Sequence, residues 1–316
     1  MKVIIWGSRG SLPASIQASM IRQKIVKAIE KSNQIRFQSK GEIENFIDSE
    51  LPFAVKECYG SNTSCVELRD GKDFILFDAG SGLREFGNYI LRSGKIPANF
   101  HIFMSHVHWD HIHGFPFFTP AYIKGNKVSF YGFHEKLKET FTEQQEEPHF
   151  PVPIHYMQAE KKFVQLDIGK QYDLMGFRIK GMEQNHPGKS FGYSFEKDGK
   201  KIVYATDSEH VLDSDKALKP FINFFKNADL LIFDAQYSLL DVIQTKKNWG
   251  HSSNVVGVEL AVRAGVKHYC MFHSEPTHSD ETLDKILSDT RIYRSMYANS
   301  YPLKISLAYD GMEIEI

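Results

Sequence analysis

Short apolar runs and amphipathic stretches alternate along the whole 316-residue chain. Val3 to Trp6 reads as a strand ended by the turn Gly7 to Ser11, and Ile16 to Ile29 has apolar residues at the spacing of an amphipathic helix. Glu42 to Asp48 reads as a second, shorter helix. Cys65 to Leu68 and Phe74 to Phe77 flank Asp70-Gly71 as a hairpin would, and the turn Asp78-Ala79-Gly80-Ser81-Gly82 leads into a helix over Leu83 to Leu91. Phe100 to Met104 and Val128 to Tyr131 are strands. Glu135 to Glu147 follows as a polar-faced helix, before a loop carrying Pro148, Pro151 and Pro153.

The second half repeats the alternation. Tyr193 to Phe195 and Ile202 to Tyr204 pair as a hairpin around Asp198-Gly199, then come a helix near Leu218 to Phe225 and a fully apolar strand, Leu230 to Phe233. A helix over Asn254 to Ala264, a strand over His268 to Phe272, a helix near Glu281 to Met296 and a hairpin turning at Asp310-Gly311 complete the order. Strands and helices mix throughout, so the class is α/β or α+β with helix-covered sheets. Without a Gly/Ser linker, Pro tract or internal repeat, the expectation is one domain over residues 1–316.

Composition removes several functions. With 42% hydrophobic residues the chain can bury an extensive core, and 38 basic against 39 acidic residues leave no global attraction for a polyanion. No apolar stretch approaches the roughly 20 residues of a membrane span, and the four-residue run before Gly7 is too short for a secretory signal. Cys58, Cys65 and Cys270 lack finger or redox spacing and fit three free thiols in a reducing compartment, so a cytoplasmic protein is expected.

Histidine changes the picture. Of 14 in the chain, four fall between His106 and His113. The run Ser105-His106-Val107-His108-Trp109-Asp110-His111 follows a strand directly, so its imidazoles and carboxylate sit on a loop anchored to a rigid element. In extended geometry His106 and His108 point the same way, while Asp110 and His111, entering the next turn, can face a second, neighbouring site. Ligand type alone leaves zinc, iron, manganese and nickel open. His101, His134, His149, His155, His210 and His268 lack such a context and read as surface or packing residues.

The His-x-His-x-Asp-His run resembles that of the metallo-β-lactamase superfamily, and the resemblance extends over nearly the whole chain. Later markers appear in order: His186 in Asn185-His186-Pro187-Gly188, Asp207 in Thr206-Asp207-Ser208, and His273 in Phe272-His273-Ser274. The resemblance implies one metal held by His106, His108, His186 and Asp207, and another held by Asp110, His111, Asp207 and His273. It also implies a four-layer αβ/βα sandwich, in which residues 12–58 would be a helical insertion. Two divalent ions, zinc with manganese or iron(II) as alternatives, would be the cofactors.

Within the superfamily, Phe233-Asp234-Ala235-Gln236-Tyr237 and Trp249-Gly250-His251-Ser252-Ser253 resemble the acid and histidine signatures of the ribonuclease Z-like phosphodiesterases. There a carboxylate orients a histidine that protonates the leaving oxygen, which implies catalytic roles for Asp234 and His251, with Asp110 orienting the nucleophile. An imidazolium suits the protonation of a poor alkoxide leaving group. This chain has Asp234 where the branch often has glutamate, a side chain one methylene longer. Tyr59 to Cys65 and the Asp78-Ala79-Gly80 turn also resemble the branch, and Asp78 could steady the histidine loop from behind. Phe115, Phe117 and Phe118, beside that loop, could form an aromatic wall for a base or pack in the core.

The tRNA-processing members carry a long basic arm between the third histidine and the shared aspartate. Here 20 residues separate His186 from Asp207, room for one hairpin. A small phosphodiester, such as a cyclic nucleotide or a cyclic ribose phosphate, is therefore expected over tRNA or RNA ends, with no membrane partner; a homodimer is compatible. An oxygen-reducing diiron protein would have glutamate in place of His108, and a non-catalytic metal-dependent binding or sensing protein would have lost ligands, whereas all seven are present.

Overall fold

The computed structural model describes residues 1–210, 212, 214–238 and 249–316. Two seven-stranded sheets lie face to face. The first runs β14 (Glu313–Glu315), β1 (Lys2–Gly7), β2 (Cys65–Arg69), β3 (Phe74–Phe77), β4 (Asn99–Phe103), β5 (Lys127–Gly132), β6 (Glu160–Gln165). The second runs β13 (Lys304–Leu307), β12 (His268–Phe272), β11 (Leu230–Asp234), β10 (Lys200–Ala205), β9 (Ser190–Lys197), β8 (Phe177–Gln184), β7 (Gln171–Leu174). Alternate side chains of each strand fill two different layers. From β3, Ile75 and Phe77 enter the core between the sheets with Tyr193, Tyr204 and Ile232, while Phe74 and Leu76 face outward.

The outward face of the first sheet is covered by α4 (Gly82–Ser93), whose Leu83, Phe86 and Ile90 recur at helical spacing, together with α5 (Trp109–Ile112) and α6 (Leu137–Glu143). Gly94, at a φ of 65°, ends α4 in the left-handed conformation that glycine adopts without steric cost. The second sheet is covered by α7 (Asp215–Phe225), α8 (Asn254–Arg263) and α9 (Asp280–Tyr297) through Leu218, Phe225, Leu260, Ala261, Leu283 and Ile286. The expected four-layer α/β/β/α sandwich is thus the observed fold. Among the described residues, no helix is long and apolar enough to cross a membrane.

Residues 12–58 carry three helices: α1 (Ala18–Lys31), α2 (Lys40–Glu50) and α3 (Phe53–Lys56). They are pinned to α9 by Lys24 on Asp280 at 2.6 Å and by the Ala54 N–H on Asp284 at 3.0 Å. The apolar spacing read in α1 is real, but Ile21, Ile25 and Ile29 stay exposed. Two further readings need correction. The Asp310-Gly311 turn does not close a hairpin: β13 pairs with β12 and β14 with β1, so the chain crosses from one sheet to the other there. Buried Asp310 fixes that crossing by accepting from the Ser61 and Asn62 N–H groups, both at 2.9 Å. The helix expected over Glu135 to Glu147 spans only Leu137–Glu143.

Candidate metal centre

Six loops leave the carboxyl ends of parallel-running strands at one edge of the sandwich, and each brings a polar side chain inward. Asp78 follows β3, His106 to His111 follow β4, His186 follows β8, Asp207 follows β10, Asp234 ends β11 and His273 follows β12. Asp78, Asp207 and His273 have φ values of 60°, 51° and 62°, a left-handed backbone that turns each side chain back across the sheet edge.

Asp78 organises the histidine loop. Its carboxylate accepts from Ser105 N and Ser105 Oγ at 2.7 Å, from His111 Nδ1 at 2.8 Å and from Tyr204 Oη at 2.7 Å. Ser105 Oγ in turn accepts from His106 Nδ1 at 3.0 Å, and the Gly250 carbonyl accepts from His186 Nδ1 at 2.8 Å. With their Nδ1 atoms engaged, His106, His111 and His186 present Nε2 to the interior.

The inward atoms fall into two groups. His106, His108 and His186 offer ligand atoms all within 4.8 Å of one another, as do Asp110, His111 and His273. Asp207 stands between them and divides its oxygens. Its Oδ2 is 3.5 Å from His106 Nε2 and 3.8 Å from His186 Nε2, while its Oδ1 is 3.4 Å from both His111 Nε2 and His273 Nε2. All seven residues expected as ligands therefore converge, with Asp207 in the shared position.

This donor set fits divalent cations. His106 Nε2 is buried without a hydrogen-bond partner, and pairs of imidazole nitrogens face each other at 3.2 Å between His108 and His186 and between His111 and His273. Such facing lone pairs in a buried site suit a cation better than they suit one another. Burial holds the imidazoles of His106, His108 and His186 toward the neutral, ligating form. Burial also disfavours charge on Asp207, but the His273, His111 and His106 rings outweigh it and keep that carboxyl well below its ordinary range.

Beside this cluster, Asp234 Oδ2 accepts from His251 Nδ1 at 2.8 Å, so the shorter aspartate reaches its partner. Backbone N–H groups of Ser208 and Gln236 hold the same carboxylate at 3.0 and 3.1 Å. The His251 ring lies 5.1 Å from that of His186 and 5.0 Å from that of His273. His186, Asp207 and His251 also present ligand atoms within 4.8 Å of one another. Burial opposes a charge on His251, but the charge of Asp234 and its hydrogen bond outweigh that, with smaller contributions from Asp207 and Asp110, and push the ring up to about 9.

Two features escape the sequence reading. Gln236 Oε1 accepts from His273 Nδ1 at 3.2 Å, and its amide donates to Glu275 at 3.3 Å and to Ser11 Oγ at 3.2 Å. The Ser11 N–H donates to Asp110 Oδ2 at 2.9 Å, and Gly10 lies so close that a Cβ there would be 2.4 Å from His273 Nδ1. The first turn of the chain thus closes over the group containing Asp110 and His273. Its glycine is the only hint in the sequence, because nothing local connects residue 10 to residue 273. Of the two readings of Phe115, Phe117 and Phe118, core packing holds for Phe115 and Phe118, which are fully buried, while Phe117 is exposed, edge-on to Phe150.

Comparison with known proteins gives the chain a family. A family model described as a beta-lactamase superfamily domain matches residues 74–274. Ribonuclease Z of Haloarcula marismortui is 22% identical over 80% of this chain and 90% of its own, and that of Trichodesmium erythraeum is 24% identical over 81% and 90%. Among solved structures, the metallo-beta-lactamase fold protein YhfI of Bacillus subtilis superposes with a TM-score of 0.65 at 18% identity, covering 100% of this chain and 98% of its own. Yeast PDE1 does so with a TM-score of 0.65 at 13% identity, covering 100% and 99%. These last two likenesses concern the fold.

Proposed function

Because the chain belongs to the metallo-β-lactamase superfamily and is a hydrolase of that group, we propose that it is a dinuclear phosphodiesterase acting on a small phosphodiester such as a cyclic nucleotide or cyclic ribose phosphate. The observation that carries this reading is the Asp234–His251 hydrogen bond of 2.8 Å set against the histidine–aspartate cluster. Hydrolysis of an alkyl phosphodiester needs a proton delivered to the departing oxygen, and a buried imidazole paired with a carboxylate is suited to deliver it.

His106, His108, His186 and Asp207 would hold one cation, and Asp110, His111, Asp207 and His273 the other. Bound there, divalent ions, zinc above all given five imidazoles, would supply positive charge against the phosphoryl oxygens. Asp110, held by Ser11 N–H, would orient the attacking water through its carboxylate. His251 would give its proton to the leaving oxygen, while Asp234 holds Nδ1–H and stabilises the charged ring before transfer.

Support for a small substrate comes from the stretch between His186 and Asp207, which β9 and β10 occupy as members of the sheet with no projecting arm. The test is a side-by-side assay of metal-reconstituted protein on cyclic nucleotides, a nitrophenyl phosphodiester and precursor tRNA at matched salt. Higher catalytic efficiency on the small substrates is expected; site-specific trimming of precursor tRNA with inert small substrates would refute the reading.

A further inference from the structure

A cavity of about 450 Å³ opens beside the histidine loop, between that loop and α6. Its volume lies within the roughly 300–1,000 Å³ of small-ligand sites. Val107, Trp109 and Ile112 form its apolar wall, and these residues alternate in sequence with the proposed ligands His106, His108, Asp110 and His111. Trp109 is 82% exposed, a large indole left in water directly between two inward-facing polar residues. Opposite stands Gln144, whose Nε2 is buried without a hydrogen-bond partner, and beside it the carboxylate of Glu143.

We propose that this recess binds the base of a nucleotide substrate, with the ring stacked on Trp109 and its polar edge against Gln144 and Glu143. The inference rests on the phosphodiesterase reading and narrows its substrate to those that carry a heteroaromatic base. Each part of the recess matches one property of a base. An exposed indole offers a stacking surface that any base can use. The Gln144 amide lacks an acceptor, which a ring nitrogen or carbonyl of a base provides, and the Glu143 carboxylate can accept from an exocyclic amino group. Val107 and Trp109 flank His108, so the recess and the cluster share one loop, and the ribose phosphate of a base seated here would have to reach around that loop to the cluster. A base-free cyclic ribose phosphate would use none of these groups.

The test is binding of adenosine monophosphate to the metal-reconstituted protein, followed by calorimetry and tryptophan fluorescence, with ribose 5-phosphate as the base-free control. Adenosine monophosphate is expected to quench fluorescence and to bind about 10-fold more tightly than the control, the scale of one base–aromatic stack. Trp109→Leu should abolish that quenching and remove the 10-fold advantage. Gln144→Leu, which lies outside the ligand loop, should weaken adenosine monophosphate several-fold and leave ribose 5-phosphate unchanged. Metal content measured in parallel must stay at the parent level for either loss to count, and Gln144→Leu carries the test if Trp109→Leu does not retain its metals. Equal affinity for the two phosphates, or tighter binding of adenosine monophosphate that survives both substitutions, would overturn the proposal. The outcomes also separate the two readings. Base-dependent binding without hydrolysis of any phosphodiester would sink the phosphodiesterase reading and leave the recess standing. Equal turnover of cyclic nucleotides and base-free cyclic phosphates would sink the recess alone.

Discussion

Asp234→Asn isolates the proton-donor hypothesis. In the parent, Asp234 takes three donors on two oxygens, with His251 Nδ1 and Ser208 N on Oδ2 and Gln236 N on Oδ1. Asparagine keeps the shape but has one acceptor oxygen and no charge, so one of those donors must face an amide NH₂. The carboxylate's attraction is what outweighs burial and takes His251 up to about 9; without it, the ring returns to its ordinary 6.5 or below. A fall of about 2.5 units corresponds to roughly 3 kcal/mol of lost preference for the imidazolium. At pH 9 that leaves roughly 100-fold fewer protonated rings. Cations at the centre offset the help from Asp110 and Asp207, so the holoenzyme's alkaline limb is expected below 9, but the difference between parent and variant remains. The assay is the pH dependence of kcat on a substrate with an alkoxide leaving group, beside one with nitrophenolate. The alkaline limb should move down by about two units for the first and hardly matter for the second. An unmoved limb, or equal losses on both substrates at parent metal content, would refute the reasoning. Stability gives the same sign. A ring raised above its unfolded value stabilises the folded protein fully below pH 6.5, and that contribution is lost as pH rises through about 9. Metal-free Asp234→Asn should therefore lose less stability than the parent between those limits.

Other consequences concern the metals and the frame around them. Asp207→Ala should bring divalent ion content by elemental analysis from about two per chain to well under one, whereas His186→Ala should mainly weaken one site, because only Asp207 faces both groups. Equal losses in the two variants would contradict the shared position. Asp78→Ala removes the acceptor of four buried donors and should cost about 3–5 kcal/mol in urea unfolding of the metal-free protein. A change under about 1 kcal/mol would show that the loop holds itself.

Much of this site is legible in the sequence, for a physical reason. Ligands such as His106, His108 and Asp110 act at strand ends, and strands rich in phenylalanine and isoleucine announce where they end. Asp234 and His251 stand out only by resemblance, and only geometry shows that an aspartate arm reaches. Strands β6, β7 and β8 leave no clear pattern in the sequence because Glu160–Gln165, Gln171–Leu174 and Phe177–Gln184 lie at or near sheet edges and mix charged residues with partly buried ones. Asp310-Gly311 correctly signalled a turn, but turn chemistry does not say which sheet receives the next strand. Gln236 and Ser11 act across 225 residues of sequence, a distance over which no local pattern reports.

The left-handed backbone at Asp78, Asp207 and His273 sets a limit on how far this protein can be improved by selection for robustness alone. Such a conformation costs a residue with a Cβ on the order of 1 kcal/mol or more, least for aspartate and more for histidine, and glycine would relieve it at all three positions. Glycine would also delete the side chains that assemble the centre. A lineage drifting toward a sturdier, metal-independent scaffold would therefore be expected to shed Asp207 and His273 first, whereas Asp78, the acceptor of four buried donors, is kept by folding itself. At Asp207 and His273 the strain is the cost of turning ligand-type side chains into the cluster, and folding alone gives no return on it.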